Sequence, residues 1–205
     1  MKLYFAPGAC SLGIHVILEE IGKPYEAQAV NLREGEHFKP AFTAINPKSK
    51  VPVLVLDDGK ILTEWLAIAS YLAAINPAAK LVPEDKFAWA RATEMMAYVT
   101  GVMHGQGFAR MFRPERFTPN PDDHEAVRTE GRRIFAEGFA VMSEALGEQD
   151  YLLGHVSIAD AALFYVSFWG EARQKLVLPP RIAAHYARMK SRPAVQRAMV
   201  AEGVA

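Results

Sequence analysis

The stretch Lys2-Leu3-Tyr4-Phe5-Ala6-Pro7-Gly8-Ala9-Cys10-Ser11-Leu12 decides how this chain is read. A short apolar run stops at Pro-Gly. A helical pattern then begins, with Ile14, Ile17, Leu18 and Ile21 on one face and Gly22 as the stop, Pro24 following shortly after. The pattern predicts a strand over residues 2–5 and a helix over 11–21. Cys10, the only cysteine of the chain, falls where that helix starts. Two readings of it stand side by side. Backbone N–H groups and the positive end of the helix dipole favour a thiolate there, while free cysteines are commonly buried as small hydrophobes.

Working outward, residues 26–32 alternate weakly as a second strand, and 36–44 form a short helix ended by Asn46-Pro47. Residues 51–56 and 61–62 are β-rich runs joined through Asp57-Asp58-Gly59-Lys60, a strong hairpin signal. Thr63-Glu64 opens a helix with Leu66, Ile68, Ala69 and Leu72 in its apolar positions, stopping before Pro77. The order β-α-β-α-β-β-α implies a small mixed sheet flanked by helices. After a linker at 78–83 the strand signals vanish, and helices are expected over 87–110, 122–146, 157–169, 182–190 and 194–202. The expected class is α+β, with an α/β domain at 1–78 and an all-α helical bundle at 84–205.

Lys plus Arg and Asp plus Glu number 23 each, so the chain lacks the basic footprint of a nucleic-acid binder. A single cysteine rules out an intrachain disulfide, and no Cys/His cluster has zinc-ligand spacing, so no metal is expected. The apolar start before Pro7 is far shorter than the roughly 7–15 residues of a secretory core segment. No run approaches the roughly 18 apolar residues of a membrane span. A cytoplasmic location, away from membranes, is the simplest expectation.

Three further places carry chemistry. Proline in Val51-Pro52 cannot donate to a strand ladder. Either the strand is an edge that begins at Pro52, or a cis peptide turns the Val51 backbone outward to pair with an extended ligand. Glu64 at a helix start is either dipole compensation or a receptor for a ligand ammonium beside helix-end N–H groups that take a carboxylate. Ser157-Ile158-Ala159-Asp160 has the spacing of a capping box, a folding signal worth about 1 kcal/mol.

Together these residues resemble the cytosolic glutathione transferases. A reactive-residue loop ends strand one, Val-Pro precedes strand three, an acidic residue opens helix three, and a helical domain with a Gly154-x-x-Ser157-x-x-Asp160 motif follows. Within that family, residues 6–12 and Ala44-Ile45-Asn46-Pro47-Lys48 look like the bacterial beta class. The resemblance implies a thioredoxin-like N-terminal domain, an all-α C-terminal domain and a homodimer. Glutathione is the co-substrate, with no other cofactor. The implied chemistry is thiolate attack on small hydrophobic electrophiles, with thiol–disulfide exchange through Cys10 as a further route. It places Cys10 beside the glutathione sulfur and Ser11 within reach of a thiolate. It pairs Val51 and Pro52 with the cysteinyl backbone, gives Glu64 the γ-glutamyl ammonium and Trp65 the adjoining carboxylate. His104 takes the place of the histidine that stabilises the thiolate. The implied electrophile pocket draws on Met103, Phe108, Phe112, Tyr165, Phe168 and Trp169, although an aromatic stripe at helical spacing is also the mark of a core.

Three positions depart from the family pattern. Trp65 replaces a small or hydroxyl residue, Ala97 replaces an asparagine, and the loop Leu32-Arg33-Glu34-Gly35 lacks a lysine. Each lost charge-assisted contact costs about 1.5–3 kcal/mol, which predicts weakened glutathione binding. The same departures motivate an alternative, a non-catalytic transferase-fold protein that binds apolar ligands or a protein partner.

Overall fold

The computed structural model describes residues 1–205. Contacts divide the chain into two compact units, Met1–Val82 with Arg188–Ala205, and Pro83–Ala187. The composition-based proposal of domains at 1–78 and 84–205 and this grouping differ in where the C-terminal helix belongs.

The first unit is built on a four-stranded sheet of β1 (Lys2–Phe5), β2 (Glu26–Ala29), β3 (Val53–Val55) and β4 (Ile61–Thr63), in the order β2-β1-β3-β4. β1 runs parallel to β2 and antiparallel to β3, and β3 runs antiparallel to β4. Alternation in β1 buries Leu3 and Phe5, and Leu3 lies opposite the equally buried Leu54. Tyr4 turns to the other face, where it meets the Phe42 ring edge-on near Val53. Because β3 lies between β1 and β4, the edge-strand reading of Val51-Pro52 fails. The Val51–Pro52 peptide is cis, and the strand begins at Val53.

Helix α1 (Ser11–Ile21) is buried on every side from Ser11 to Leu18, since α3 (Trp65–Ile75) and α9 (Pro193–Glu202) pack against it. The Gly22 stop is real. It caps α1 in the left-handed region, its N–H donating to the Leu18 carbonyl. The helix expected over 36–44 is instead a 3₁₀ turn, Glu36–Phe38, and a short α2 (Pro40–Thr43). Pro40 forces Lys39 into an extended conformation and separates the two.

α9 returns to the first unit through a buried carboxylate. Glu202 Oε1 lies 3.0 Å from His15 Nδ1 on α1, and Glu202 Oε2 accepts the Gly8 N–H at 2.7 Å. Arg192 and Arg197 on the same segment pair with Glu20 and Glu19 of α1.

The second unit contains α4 (Lys86–Tyr98), α5 (Ala109–Phe112), α6 (His124–Leu146) and α7 (Ile158–Phe168), with α8 (Pro180–Ser191) crossing the boundary between units. The helix expected over 87–110 is not uniform. Between α4 and α5 the chain widens into a π-helical segment, Val99–Phe108. This segment packs tightly on α6 through glycines. A Cβ on Gly131 would stand 2.7 Å from the Gly107 carbonyl oxygen, and one on Gly107 would stand 3.1 Å from Phe135. The capping box forms as read. Asp160 Oδ2 accepts the Ser157 N–H at 2.8 Å, and Asp160 Oδ1 accepts the Leu152 N–H and lies 2.9 Å from His185 Nε2.

Two expectations follow. Gly131→Ala forces backbone apart and should cost about 1–3 kcal/mol in urea unfolding, whereas Gly101→Ala, with nothing within 4 Å of its new Cβ, should be neutral or stabilising by up to about 1 kcal/mol. Glu202→Ala leaves a buried imidazole and N–H without their acceptor and should cost about 3–5 kcal/mol.

Candidate functional site

In the first unit, Cys10 ends the loop that follows β1 and is the N-cap residue of α1. Successive turns lead the chain in, with the Ala9 N–H on the Ala6 carbonyl and the Leu12 N–H on the Ala9 carbonyl. Cys10 is only 9% exposed, and its thiol donates to the Val51 carbonyl at 3.5 Å, just ahead of the cis proline. Thus Cys10 and Val51, 41 residues apart, come together as one polar contact.

Burial pushes the Cys10 thiol up from 9.0 to about 12. The backbone N–H groups of Cys10 and Ser11 pull the other way, the charge of Glu202 adds to the rise, and Lys50 opposes it weakly. This corrects the expectation of a lowered thiol in the resting protein. The helix start still favours the thiolate, but excluding water from the sulfur disfavours it more. Ser11 also differs from expectation. Its buried hydroxyl accepts the Ala6 N–H at 3.1 Å and donates to the Ala6 carbonyl at 3.3 Å, so it fastens the loop instead of facing the sulfur. What Ser11 offers the sulfur is its backbone N–H.

Glu64 heads α3 with φ +71°, a strained conformation for a residue with a side chain and one that concentrates at functional sites. Its exposed carboxylate accepts the Lys48 ammonium at 2.8 Å, and Lys48 also donates to Thr63 Oγ1 at 2.9 Å. An ammonium therefore already sits where an ammonium was expected to bind, and the sequence reading missed Lys48 in that role. Trp65 is placed differently from expectation. The residue is 6% exposed and its indole is turned inward, where Nε1–H donates to the Cys10 carbonyl at 2.9 Å. The side chain is therefore not exposed beside Glu64.

The second unit holds the other expected residues. His104 lies in the π-helical segment, with Nδ1 3.4 Å from the Tyr165 hydroxyl and its ring edge-on to Trp169 at 4.8 Å. Trp169 stacks on Phe108 at 4.1 Å, and Phe108 stacks on Phe112 at 5.6 Å. Of this ladder only Phe112 is open, at 55% exposure. Met103 and Tyr165 are fully buried, and Met103 packs over Gly138 of α6, so both are core where pocket lining was expected. Phe168 is buried as well. A helical stripe cannot tell core from lining, because both need the same period. Sequence reasoning also missed His15 and Glu202, whose pairing spans 187 residues and leaves no local signal. No group of three or more His, Cys, Asp or Glu side chains is placed to hold a metal, and no helix is long and apolar enough to cross a membrane.

The raised thiol has a definite consequence for stability. Above about pH 9 the unfolded chain loses the Cys10 proton while the folded chain keeps it. Folding stability supplied by this group is therefore full below pH 9 and falls as pH rises toward about 12. The stability difference between the protein and Cys10→Ala should narrow by about 1.4 kcal/mol per pH unit in that window. Urea unfolding at several pH values measures it, and a pH-independent difference would contradict the buried, protonated thiol.

Comparison with known proteins identifies the family. A family model described as the N-terminal domain of glutathione S-transferase matches residues 8–75. The chain is 37% identical over 208 residues to glutathione S-transferase GstA of Escherichia coli O157:H7, covering all of both sequences. It superposes with a TM-score of 0.90 on a glutathione transferase homologue from Sulfitobacter solved with bound glutathione, at 32% identity, over 100% of this chain and 98% of that one. A beta-class glutathione S-transferase of Sphingomonas chungbukensis gives a TM-score of 0.84 at 29% identity, with full coverage of both chains. With full-length identity on one side and the thioredoxin-like sheet carrying Cys10, cis Val51–Pro52 and Glu64 on the other, the chain belongs to the glutathione S-transferase family.

Proposed function

We propose that the chain binds glutathione on its N-terminal unit and transfers the glutathione sulfur to small hydrophobic electrophiles. One observation carries the reading. The Cys10 thiol, the Val51 carbonyl before a cis proline and the strained Glu64 belong to a single unit of a chain in this family. In the step proposed, the glutathione thiolate attacks an electrophilic carbon. A sulfur–carbon bond forms, the bond to the leaving group breaks, and the leaving group departs with the electron pair. The glutathione thiol proton has passed to solvent beforehand.

A protonated Cys10 suits this role. It donates a hydrogen bond to the incoming thiolate in place of the Val51 carbonyl and need not act as a nucleophile. Exchange through Cys10 would need the Cys10 thiolate to attack a glutathione disulfide and expel the other thiolate, with a second glutathione resolving the mixed disulfide. Burial of the thiol weighs against that route as the main activity. Glu64 receives the γ-glutamyl ammonium in exchange for Lys48. The exposed Lys48–Glu64 pair is worth at most about 1 kcal/mol, so displacing it costs little against a ligand that brings several contacts. The resemblance gives His104 the role of stabilising the thiolate, and it implies a homodimer and a cytoplasmic location. Phe112, open and stacked on Phe108, is the surface that favours a flat apolar electrophile.

Calorimetry with free glutathione, together with retention on immobilised glutathione, tests the proposal. Binding by millimolar glutathione is expected, and none would overturn the reading and leave the non-catalytic alternative. Glu64→Gln should weaken binding about ten- to a hundredfold, the loss of one charged hydrogen bond. Conjugation of an aryl halide should survive in Cys10→Ala within about tenfold, since the nucleophile belongs to the substrate. Abolition in that variant would show instead that Cys10 forms an essential covalent intermediate.

A further inference from the structure

We propose that Trp65 is a positioning residue for Cys10, holding the Cys10–Ser11 peptide so that its N–H stays aimed at the sulfur. The inference deepens the reading above, because it concerns the thiol which that reading places beside glutathione.

The geometry is a buried tie between the starts of two helices. Trp65 is the first residue of α3, and Cys10 caps α1. The indole N–H reaches the Cys10 carbonyl at 2.9 Å across a separation of 55 residues, with both partners buried. That carbonyl already accepts the Gly13 N–H at 3.1 Å, so the indole is a second donor on the same oxygen. A trans peptide is planar, with its C=O and N–H pointing in opposite directions. Fixing the Cys10 carbonyl against α3 therefore fixes the direction of the Ser11 N–H. That N–H is one of the groups that favour a charged sulfur. Two donors on the carbonyl also polarise the peptide, which makes the N–H at its other end a better donor.

The remaining groups around Cys10 hold other parts of the loop. The Ser11 hydroxyl ties to Ala6, Glu202 takes the Gly8 N–H, and the Val51 carbonyl takes the thiol itself. Trp65 is the one side chain among these that grips the Cys10–Ser11 peptide, adding to the Gly13 N–H of α1 itself. This also accounts for a large aromatic residue at a position where the family pattern has a small one. The indole does not crowd the ligand side; it is spent beneath the cysteine.

Two substitutions separate the donor from the ring. Trp65→Phe keeps most of the packing and removes the N–H. Trp65→Gln keeps an amide donor of similar reach and removes the ring. The readout is the rate at which iodoacetamide alkylates Cys10 at fixed pH and across a pH series. It is free of background because the chain has no other cysteine. The expected result is about a three- to tenfold slower reaction in Trp65→Phe, with its pH profile displaced upward and its melting temperature near that of the parent. Trp65→Gln should melt lower yet alkylate within about twofold of the parent. Parental alkylation by Trp65→Phe, or a rate in Trp65→Gln that follows its melting temperature down, would overturn the proposal and leave Trp65 as packing. Should Trp65→Phe not fold, the ¹⁵N-labelled parent supplies the second reading. The Trp65 indole resonance must move when Cys10 is alkylated, and a fixed resonance overturns the tie. Because alkylation needs no glutathione, the outcome is independent of whether the parent binds glutathione.

Discussion

The buried carboxylate of Glu202 is the constraint on which the first unit depends. Three parts of the chain meet on it: α9, which carries it; α1, through His15; and the Cys10 loop, through the Gly8 N–H. A buried charge without partners costs several kcal/mol, so docking of α9 depends on the contacts with both His15 and Gly8. The C-terminal helix must dock, α1 must present His15 inward, and the loop must turn its Gly8 N–H toward the helix. The Arg192–Glu20 and Arg197–Glu19 pairs join the same two segments but are partly exposed. The loop that carries the cysteine is thereby held from the far end of the sequence.

That loop sets two opposing influences on the sulfur. The N-terminus of a helix stabilises an anion by about 0.3–1 kcal/mol, reaching about 2 in sheltered geometry. Excluding water from a thiol raises its pKa by up to several units, at about 1.4 kcal/mol per unit. Burial is the larger effect, and the Cys10 thiol ends up at about 12 with its proton directed to the Val51 carbonyl. The backbone N–H groups remain aimed at the sulfur all the same. They favour a negative charge on that sulfur, though by less than burial opposes it.

The second unit positions its aromatic groups by close backbone approach. Gly107 and Gly131 let the π-helical segment and α6 meet where no Cβ would fit, and Phe135 fills the space beside them. The widened turn carries His104, while Trp169, Phe108 and Phe112 stack outward from it. Most of the ladder is core and keeps the last ring in place. Phe112 is the ring left exposed.

Much of this architecture was legible in the chain. Alternation in residues 2–5, the Gly22 stop, the Asp58-Gly59 hairpin and the Ser157/Asp160 spacing are local signals, and each formed as read because backbone sterics and capping act over a few residues. The positions of Cys10, Val51 and Glu64 were legible for the same reason, each standing at the end of an element. Other features depended on partners distant in sequence. Whether Val51-Pro52 opened an edge strand hinged on β3 lying between β1 and β4. The direction of the Trp65 indole hinged on a carbonyl 55 residues away, and the state of the Cys10 thiol on how completely α1 was covered. The sequence by itself determined which residues stand at the element ends. Only the tertiary structure decided what each of them touches and how much water reaches it, because burial and long-range hydrogen bonds belong to the folded whole and leave no mark on a local stretch of chain.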